Sequence, residues 1–316
     1  MPERRKLARP SRPGRFAVSW VMLLTWCTTL LMGGGLGIVS QGLYRTYRAE
    51  SVGGRNDLAA APYQPQEQGA KKQEKRAAIV IDDLGLDLKM ARKFWELEIP
   101  VTLAILPYQR HSRRVAREAI RHGKEVILHL PLQPRDFPAV NPGTGALLLS
   151  MDREQIQAEV AQQLDALPGC VGVSNHMGSL FTEQEERMRW VLSVVAERHL
   201  FFVDSLTTPN STCRCVARKL GVPFAQRTHF LDVEKTEDSI VRQLCCLLDK
   251  AVQQGGAIGI AHPSEETLSA LPKVSAAFAE KGVRLVPVSH MAAMRYSVVA
   301  RDQESGTTGR GRRPGH

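Results

Sequence analysis

From residue 77 to about residue 294 the chain alternates short apolar runs with amphipathic segments, and this alternation limits its fold more than any other feature. The runs are Ala78–Ile81, Val101–Ile105, Glu125–Leu128, Val171–Val173, Phe201–Val203, Ala257–Ile260 and Arg284–Val288, short enough to be read as strands. A weaker one lies near Pro223–Ala225 or Phe230–Leu231. Helix signals fill the gaps. Thr182-x-x-Glu185 predicts a capping box ahead of Met188, Val191, Leu192 and Val195, which share one face. Met151–Leu167 repeats apolar residues at helical spacing until Pro168-Gly169 stops it, and Thr236–Gln254 does so until Gly255-Gly256. Strands alternating with helices predict a distorted (β/α) barrel of seven or eight strands, with a doubly wound open sheet as the alternative. Both place chemistry beyond the carboxyl ends of the strands. The Pro- and Gly-rich residues 133–149 read as a loop inserted over that end, and no internal repeat is visible.

The net charge of +10 suggests nucleic acid until it is divided along the chain. Residues 1–76 carry +8, residues 295–316 carry +3, and the stretch between carries −1. A nucleic-acid binder keeps a basic face on its folded domain, so this class is excluded. Part of the basic excess forms a tail, residues 1–15, ahead of the uncharged segment 16–44. That segment is long enough to cross a bilayer, which takes roughly 20 residues, and its basic flank belongs on the cytoplasmic side. The short apolar region and small-x-small site of a cleaved signal peptide are not evident. A transmembrane signal-anchor in the bacterial inner membrane is therefore expected, with everything after it periplasmic or extracytoplasmic. Residues 45–76 read as a flexible linker, 77–296 as the folded domain and 297–316 as a disordered tail.

Cysteines add little. Cys27 falls in the apolar segment, and neither Cys213-x-Cys215 nor the vicinal Cys245-Cys246 has the spacing of a structural zinc site. The pairing of the remaining five cannot be read from sequence, and Cys245 and Cys246 are expected as buried free thiols on a helix.

The residues that end the apolar runs are more informative. The first run ends in Asp82-Asp83, the third in His129, the fourth in Ser174-Asn175-His176, the fifth in Asp204-Ser205, and the Ala257–Ile260 run in Ala261-His262-Pro263. A lone histidine at a strand end is usually a structural hydrogen-bonding group, and an aspartate there is often a helix cap. Five such ends in one barrel predict a single site. His111, His122, His199, His290 and His316 fall on helices, in turns or in the tail and are assigned no chemistry, while His229, with Asp232, belongs to the rim or the surface. Two histidines and a carboxylate facing one point, with a position left open for water, suit a divalent metal and above all Zn2+. Asp82 and Asp83 are expected to take different jobs because neighbouring side chains on a strand point in different directions.

The run Ile79-Val80-Ile81-Asp82-Asp83-Leu84-Gly85 resembles the first motif of polysaccharide deacetylases of the NodB-homology type. Val101–Pro107, Leu128–Leu132, Asn175–Ser179, Phe202–Ser205 and Ala261-His262-Pro263 resemble the divergent polysaccharide deacetylase family more closely still. The resemblance implies a distorted barrel that hydrolyses N-acetyl groups of an envelope glycan. By that comparison Asp82 is the general base, Asp83 a metal ligand and His262 the general acid. The mainstream enzymes carry two ligand histidines on one segment, whereas His129 is followed by Leu-Pro-Leu-Gln-Pro. His176 is therefore expected as the second histidine ligand, with Asp204 and Asn175 as additional site residues. Their Arg-x-Pro-Tyr motif is not recognisable either. The rival expectation is a non-catalytic glycan- or partner-binding envelope protein on the same fold. A phosphoesterase ranks behind both, because Arg135 and Arg227 are the only evident phosphate-gripping candidates.

Overall fold

The computed structural model describes residues 74–292. The basic tail, the apolar segment 16–44, the linker up to residue 73 and the tail 297–316 lie outside the described residues. Among the described residues no helix is long and apolar enough to cross a membrane.

Nine strands and seven helices follow one another: β1 Lys75–Leu84, α1 Leu88–Trp95, β2 Val101–Ile105, α2 Ser112–Arg121, β3 Glu125–Leu132, α3 Arg153–Ala166, β4 Gly172–Met177, α4 Glu185–Glu197, β5 Phe201–Asp204, α5 Cys213–Leu220, β6 Phe224–Gln226, β7 His229–Phe230, α6 Glu237–Gln254, β8 Gly256–Ala261, α7 Glu265–Glu280 and β9 Val283–Leu285. The strands form one parallel sheet in the order β6-β5-β4-β3-β2-β1-β8-β7, with β9 beside the start of β1. Its two ends, β6 and β7, are successive pieces of one extended stretch, separated only by Arg227 and Thr228. Arg227 N–H still bonds to Asp204 O on the β5 side, whereas Thr228 N–H already bonds to Ile258 O on the β8 side. The sheet is therefore curled, and the chain itself bridges the gap between its ends. The weak apolar runs near 223–225 and 230–231 are these two pieces, so the expected count of seven or eight strands becomes nine.

Strand periodicity divides the apolar side chains between two layers. Ala77, Ile79 and Ile81 of β1 pack outward with the helices, as do Val173 of β4 and Phe202 of β5. Ala78, Val80, Ile127, Phe201, Val203, Ala225, Ile258 and Ile260 form a separate inner cluster. Val286, Val288, Met291 and Ala292, which follow β9, complete that cluster. They are tied to the amino ends of β2 and β3, where Val288 N–H bonds to Thr102 Oγ1 at 2.9 Å and Ser289 N–H to Glu125 Oε1 at 3.1 Å. One end of the curled sheet is thus plugged by apolar side chains, and polar groups are left to the carboxyl end.

The helices cover the outer face as their patterns predict. α6 buries Ile240, Leu244, Leu247, Leu248 and Ala251, is capped by Thr236, and ends at Gly255 in the left-handed conformation that glycine adopts without strain. Each of those Leu and Ile side chains contributes about 1.5–3 kcal/mol by leaving water. Cys245 and Cys246 stand off that stripe and are exposed, contrary to the expectation that they are buried, and the five described cysteines are all unpaired. The predicted capping box at Thr182 does not form. Thr182 is buried in a short 3-10 turn and donates to Gly178 O, and α4 starts after Gln184 without a side-chain cap.

Candidate active site at the carboxyl end of the sheet

Asp82 continues the inward parity of Ala78 and Val80, at the level where the inner apolar cluster stops. Asp83 should face the helices. A bulge prevents this: Ile81 pairs with Leu103 and Leu84 with Ile105, so β1 spends three steps against two on β2. Asp83 takes a φ of 56° within the bulge, a left-handed conformation that Asp tolerates better than most residues. Both aspartates therefore serve one site, and the expectation that they diverge by simple alternation is corrected by that extra residue.

His129 and His176 reach the same point from β3 and β4. Asp83 Oδ1 lies 2.8 Å from His176 Nδ1 and 3.2 Å from His129 Nε2, and the two ring nitrogens are 3.3 Å apart. His129 Nε2 is also 3.5 Å from Asp82 Oδ2. The other nitrogen of His129, Nδ1, is 2.8 Å from the buried Ser174 hydroxyl, which fixes the ring. Side-chain exposure rises from 2% at His129 through 14% at His176 to 32% at Asp83, so the cluster opens outward past Asp83.

His262, following β8, is inward by the parity of Ile258 and Ile260 and stands on the side of Asp83 away from the other histidines. Its Nε2 is 3.7 Å from Asp83 Oδ2, and its Nδ1 donates to Asp232 Oδ2 at 3.0 Å. The same oxygen accepts the backbone N–H of His262 at 2.7 Å. Asp232 follows β7 and shares the inward parity of Phe230. The sequence pattern assigns it, with His229, to the rim or the surface. The signal available was its place directly after an apolar pair, Phe230-Leu231, the pattern that singled out the other strand ends.

Electrostatics separate the groups. Burial pushes the Asp82 carboxyl above its ordinary range, against the pull of His129. For Asp83 burial acts upward too, but the His129 and His176 imidazoles outweigh it and hold the carboxyl well below the usual range. The hydrogen bond to Asp232 raises His262 to about 9, against burial. One carboxylate is thus made more basic and one imidazole is kept protonated at neutral pH, on either side of an Asp-His-His cluster.

Asn175 and Asp204 do not join the cluster. They share the outward parity of Val173 and Phe202. Asn175 Nδ2 donates to Met177 O and its Oδ1 accepts Ser205 N–H, clamping the turn after His176 to the turn after β5. Asp204 spends its oxygens on Leu206 N–H and the Ser211 hydroxyl. Both are loop anchors. His229 also faces outward, opposite Gly259 in register, with its Nδ1 on Thr228 Oγ1.

The donor set suits a divalent metal. Nitrogen and oxygen ligands around a tetrahedral zinc stand about 3.3–3.6 Å from one another; the His129–His176 and His129–Asp83 spacings of 3.3 and 3.2 Å lie near this range, and the 2.8 Å between Asp83 and His176 is shorter. Asp82 Oδ1 and Asp83 Oδ1 are buried, yet neither has a hydrogen-bond partner in acceptable direction among the described residues. Buried carboxylate oxygens are costly in that condition, and a cation with its water relieves both.

A family model described as divergent polysaccharide deacetylase matches residues 79–292. The chain belongs to the divergent polysaccharide deacetylase family. Among curated relatives, an uncharacterized protein of Haemophilus influenzae is 32% identical over 63% of this chain and 70% of its own length. The uncharacterized protein YibQ of Escherichia coli is 31% identical over 63% of this chain and 62% of its own length, so the match leaves over a third of that protein uncovered. A crystal structure of an uncharacterized protein from Agrobacterium tumefaciens superposes with a TM-score of 0.67 at 29% identity, covering 70% of this chain and 91% of the other. In this member of the divergent polysaccharide deacetylase family the candidate site lies wholly within the matched residues.

Proposed function

We propose that the chain is a metal-dependent hydrolase that removes N-acetyl groups from amino sugars of an envelope glycan. The observation that carries this reading is the arrangement around Asp83: a three-donor cluster with the buried carboxylate of Asp82 on one side and the His262 imidazole, held by Asp232, on the other. In this reading Asp83, His129 and His176 hold the metal. A zinc ion bound there supplies Lewis acidity, acidifying a water and polarising the amide carbonyl. Asp82 accepts the proton of the attacking water through its unpartnered Oδ1. As the C–N bond of the tetrahedral intermediate breaks, His262 donates its Nε2 proton to the departing amine, and Asp232 keeps the imidazole in the orientation for that transfer. Acetate and a free amino sugar result. Asn175 and Asp204 take no direct part.

The basic tail and the apolar segment 16–44 support a single-pass anchor, with the domain on the outer side of the bacterial cytoplasmic membrane. That placement gives the site access to peptidoglycan or a similar polymer, and the nearly neutral domain argues against a nucleic-acid partner.

The test is acetate release from peptidoglycan and chitooligosaccharide fragments by the zinc-loaded full chain, beside metal analysis. The reading requires about one zinc per chain and turnover that Asp82→Asn abolishes while zinc is retained. Stoichiometric zinc with no acetate from any N-acetylated fragment would leave the non-catalytic glycan-binding alternative in its place.

A further inference from the structure

Arg227 occupies the link between β6 and β7. It shares the inward parity of Ala225, whereas its neighbour Gln226 faces out and meets Arg214 of α5. The registers place Ser174 opposite Val203 and Asp204 opposite Gln226. Continued by one or two residues, they put Arg227 level with Ser205 and His176. On the other flank Phe230 is level with Ile260, which sets Asp232 level with His262. Arg227 therefore faces the candidate site from the sector between β5 and β7, where no other residue of the proposed machinery stands.

The guanidinium is held in place on two sides. Its Nε donates to Ser205 O at 2.6 Å and its Nη2 to Leu206 O at 2.9 Å. Its Cζ lies over the Phe230 ring, 3.6 Å from the centroid. What it lacks is a contact ion pair: Asp204 and Asp82 attract it, but only from beyond salt-bridge distance. Arg227 makes no ion pair with any described carboxylate, since Asp204 is committed to Leu206 and Ser211, and Asp232 to His262. Two of its five N–H donors are used, which leaves the edge formed by Nη1 and the second Nη2 hydrogen without a protein acceptor. A half-buried guanidinium is costly to keep without a partner. That free edge has the fork geometry that matches the two oxygens of a carboxylate.

We propose that Arg227 is a specificity-determining residue that receives a carboxylate carried by the substrate, so that the preferred glycan unit is an N-acetylated sugar bearing an acidic substituent rather than a neutral one. This rests on the glycan reading of the site and names its substrate class. The carboxylate would sit across the opening from Asp82 and Asp83, where a cation on the opposite wall offsets their repulsion.

Binding tests it separately from turnover. Calorimetry on the zinc-loaded full chain compares two peptidoglycan-type disaccharides, one whose muramic unit carries its free lactyl carboxylate and one whose carboxylate has been converted to the amide. The proposal requires the acid to bind at least tenfold more tightly. It requires Arg227→Gln to remove that preference by weakening the acid alone, and Arg227→Lys to restore only part of it, with both variants folded and zinc content unchanged, whatever the loss of the bonds to Ser205 O and Leu206 O costs in thermal stability. Equal affinity for acid and amide in the wild-type chain overturns it, as does an equal loss for both ligands in a variant that folds and holds zinc. If Arg227→Gln fails to fold, the wild-type comparison and competition by the free acidic monosaccharide against the neutral one decide the matter. Acid-selective binding without acetate release would uphold this inference and refute the deacetylase reading.

Discussion

Asp232 Oδ2 accepts both the backbone N–H and the Nδ1–H of His262, at 2.7 and 3.0 Å. One oxygen thus fixes where the residue begins and how its ring is turned, leaving Nε2 toward Asp83. Asp232 is also the largest cause of the rise of His262 to about 9. A group whose folded pKa is raised contributes stability fully below its unfolded value, near 6.5, and loses it as pH rises through about 9. Activity that needs the protonated imidazole should persist to that pH and then decline. Asp232→Asn is expected to move the alkaline limb of kcat down by one to two pH units while zinc content stays at the wild-type value. A pH profile of acetate release checks this, and an unmoved limb would remove His262 from the role of acid.

Within the cluster Ser174 hydrogen-bonds to His129 alone, through Nδ1, which leaves Nε2 turned toward Asp83. Groups that orient a ligand histidine are typically worth about 10–100-fold in metal affinity. Ser174→Ala should therefore weaken zinc binding by about that factor, measured by competition with a chromogenic chelator. Stability in the absence of metal should fall by about 1–3 kcal/mol, because the buried His129 Nδ1 is left without its partner.

Asp204 offers the opposite dissociation. It is buried, and the Leu206 amide and the Ser211 hydroxyl satisfy it. Asp204→Ala is expected to lower the thermal transition, at a cost of about 1–3 kcal/mol for the donors left unsatisfied, and to leave zinc stoichiometry at the wild-type value. His176→Ala should do the reverse, abolishing stoichiometric zinc with a smaller effect on the metal-free transition. Zinc analysis and calorimetry on the two variants distinguish an anchor of the loop from a member of the cluster.

The residues that converge were legible because the apolar runs could be counted and five of the seven were followed by a chemically marked side chain. Asp82, Asp83, His129, His176 and His262 came from that single rule. The rule failed where it ignored parity. Asn175 and Asp204 are as close to strand ends as His176, but they stand on the helix-facing side. Parity becomes decisive only when the inner and outer apolar residues of each strand are known. The bulge at Asp83 was hidden for another reason. Nothing in Ile81-Asp82-Asp83-Leu84 states that β1 carries an extra residue, because the bulge is a property of its pairing with β2. Asp232 was obscured by the shortness of β7, two residues whose pairing changes over between Arg227 and Thr228.

Helix starts show the same division between local and tertiary signals, and they yield a clean pair of variants. Thr182-x-x-Glu185 has the capping pattern in sequence, but Thr182 is taken by Gly178 O and its own carbonyl receives both the amide and the hydroxyl of Thr212. The capping box that does form is Asp152 with Gln155, ahead of α3: Gln155 N–H donates to Asp152 Oδ1 at 2.8 Å, and Asp152 N–H to Gln155 Oε1 at 3.0 Å. α3 packs Ile156, Val160 and Leu164 against the sheet. It also follows the inserted loop, to which Gln163 is bound through Gly145 O. Loss of an N-cap side chain costs about 0.5–2 kcal/mol. Asp152→Ala should therefore lower global stability by about 1 kcal/mol, seen as a reduced urea midpoint at unchanged m-value. Asp152→Ser, which still offers an oxygen to the Gln155 amide, should recover most of it. Glu185→Ala should leave the midpoint within about 0.5 kcal/mol of wild type, because its carboxylate serves only the exposed pairs with Arg189 and Lys219. If Glu185→Ala costs as much as Asp152→Ala, the cap of α4 lies where the sequence pattern first put it.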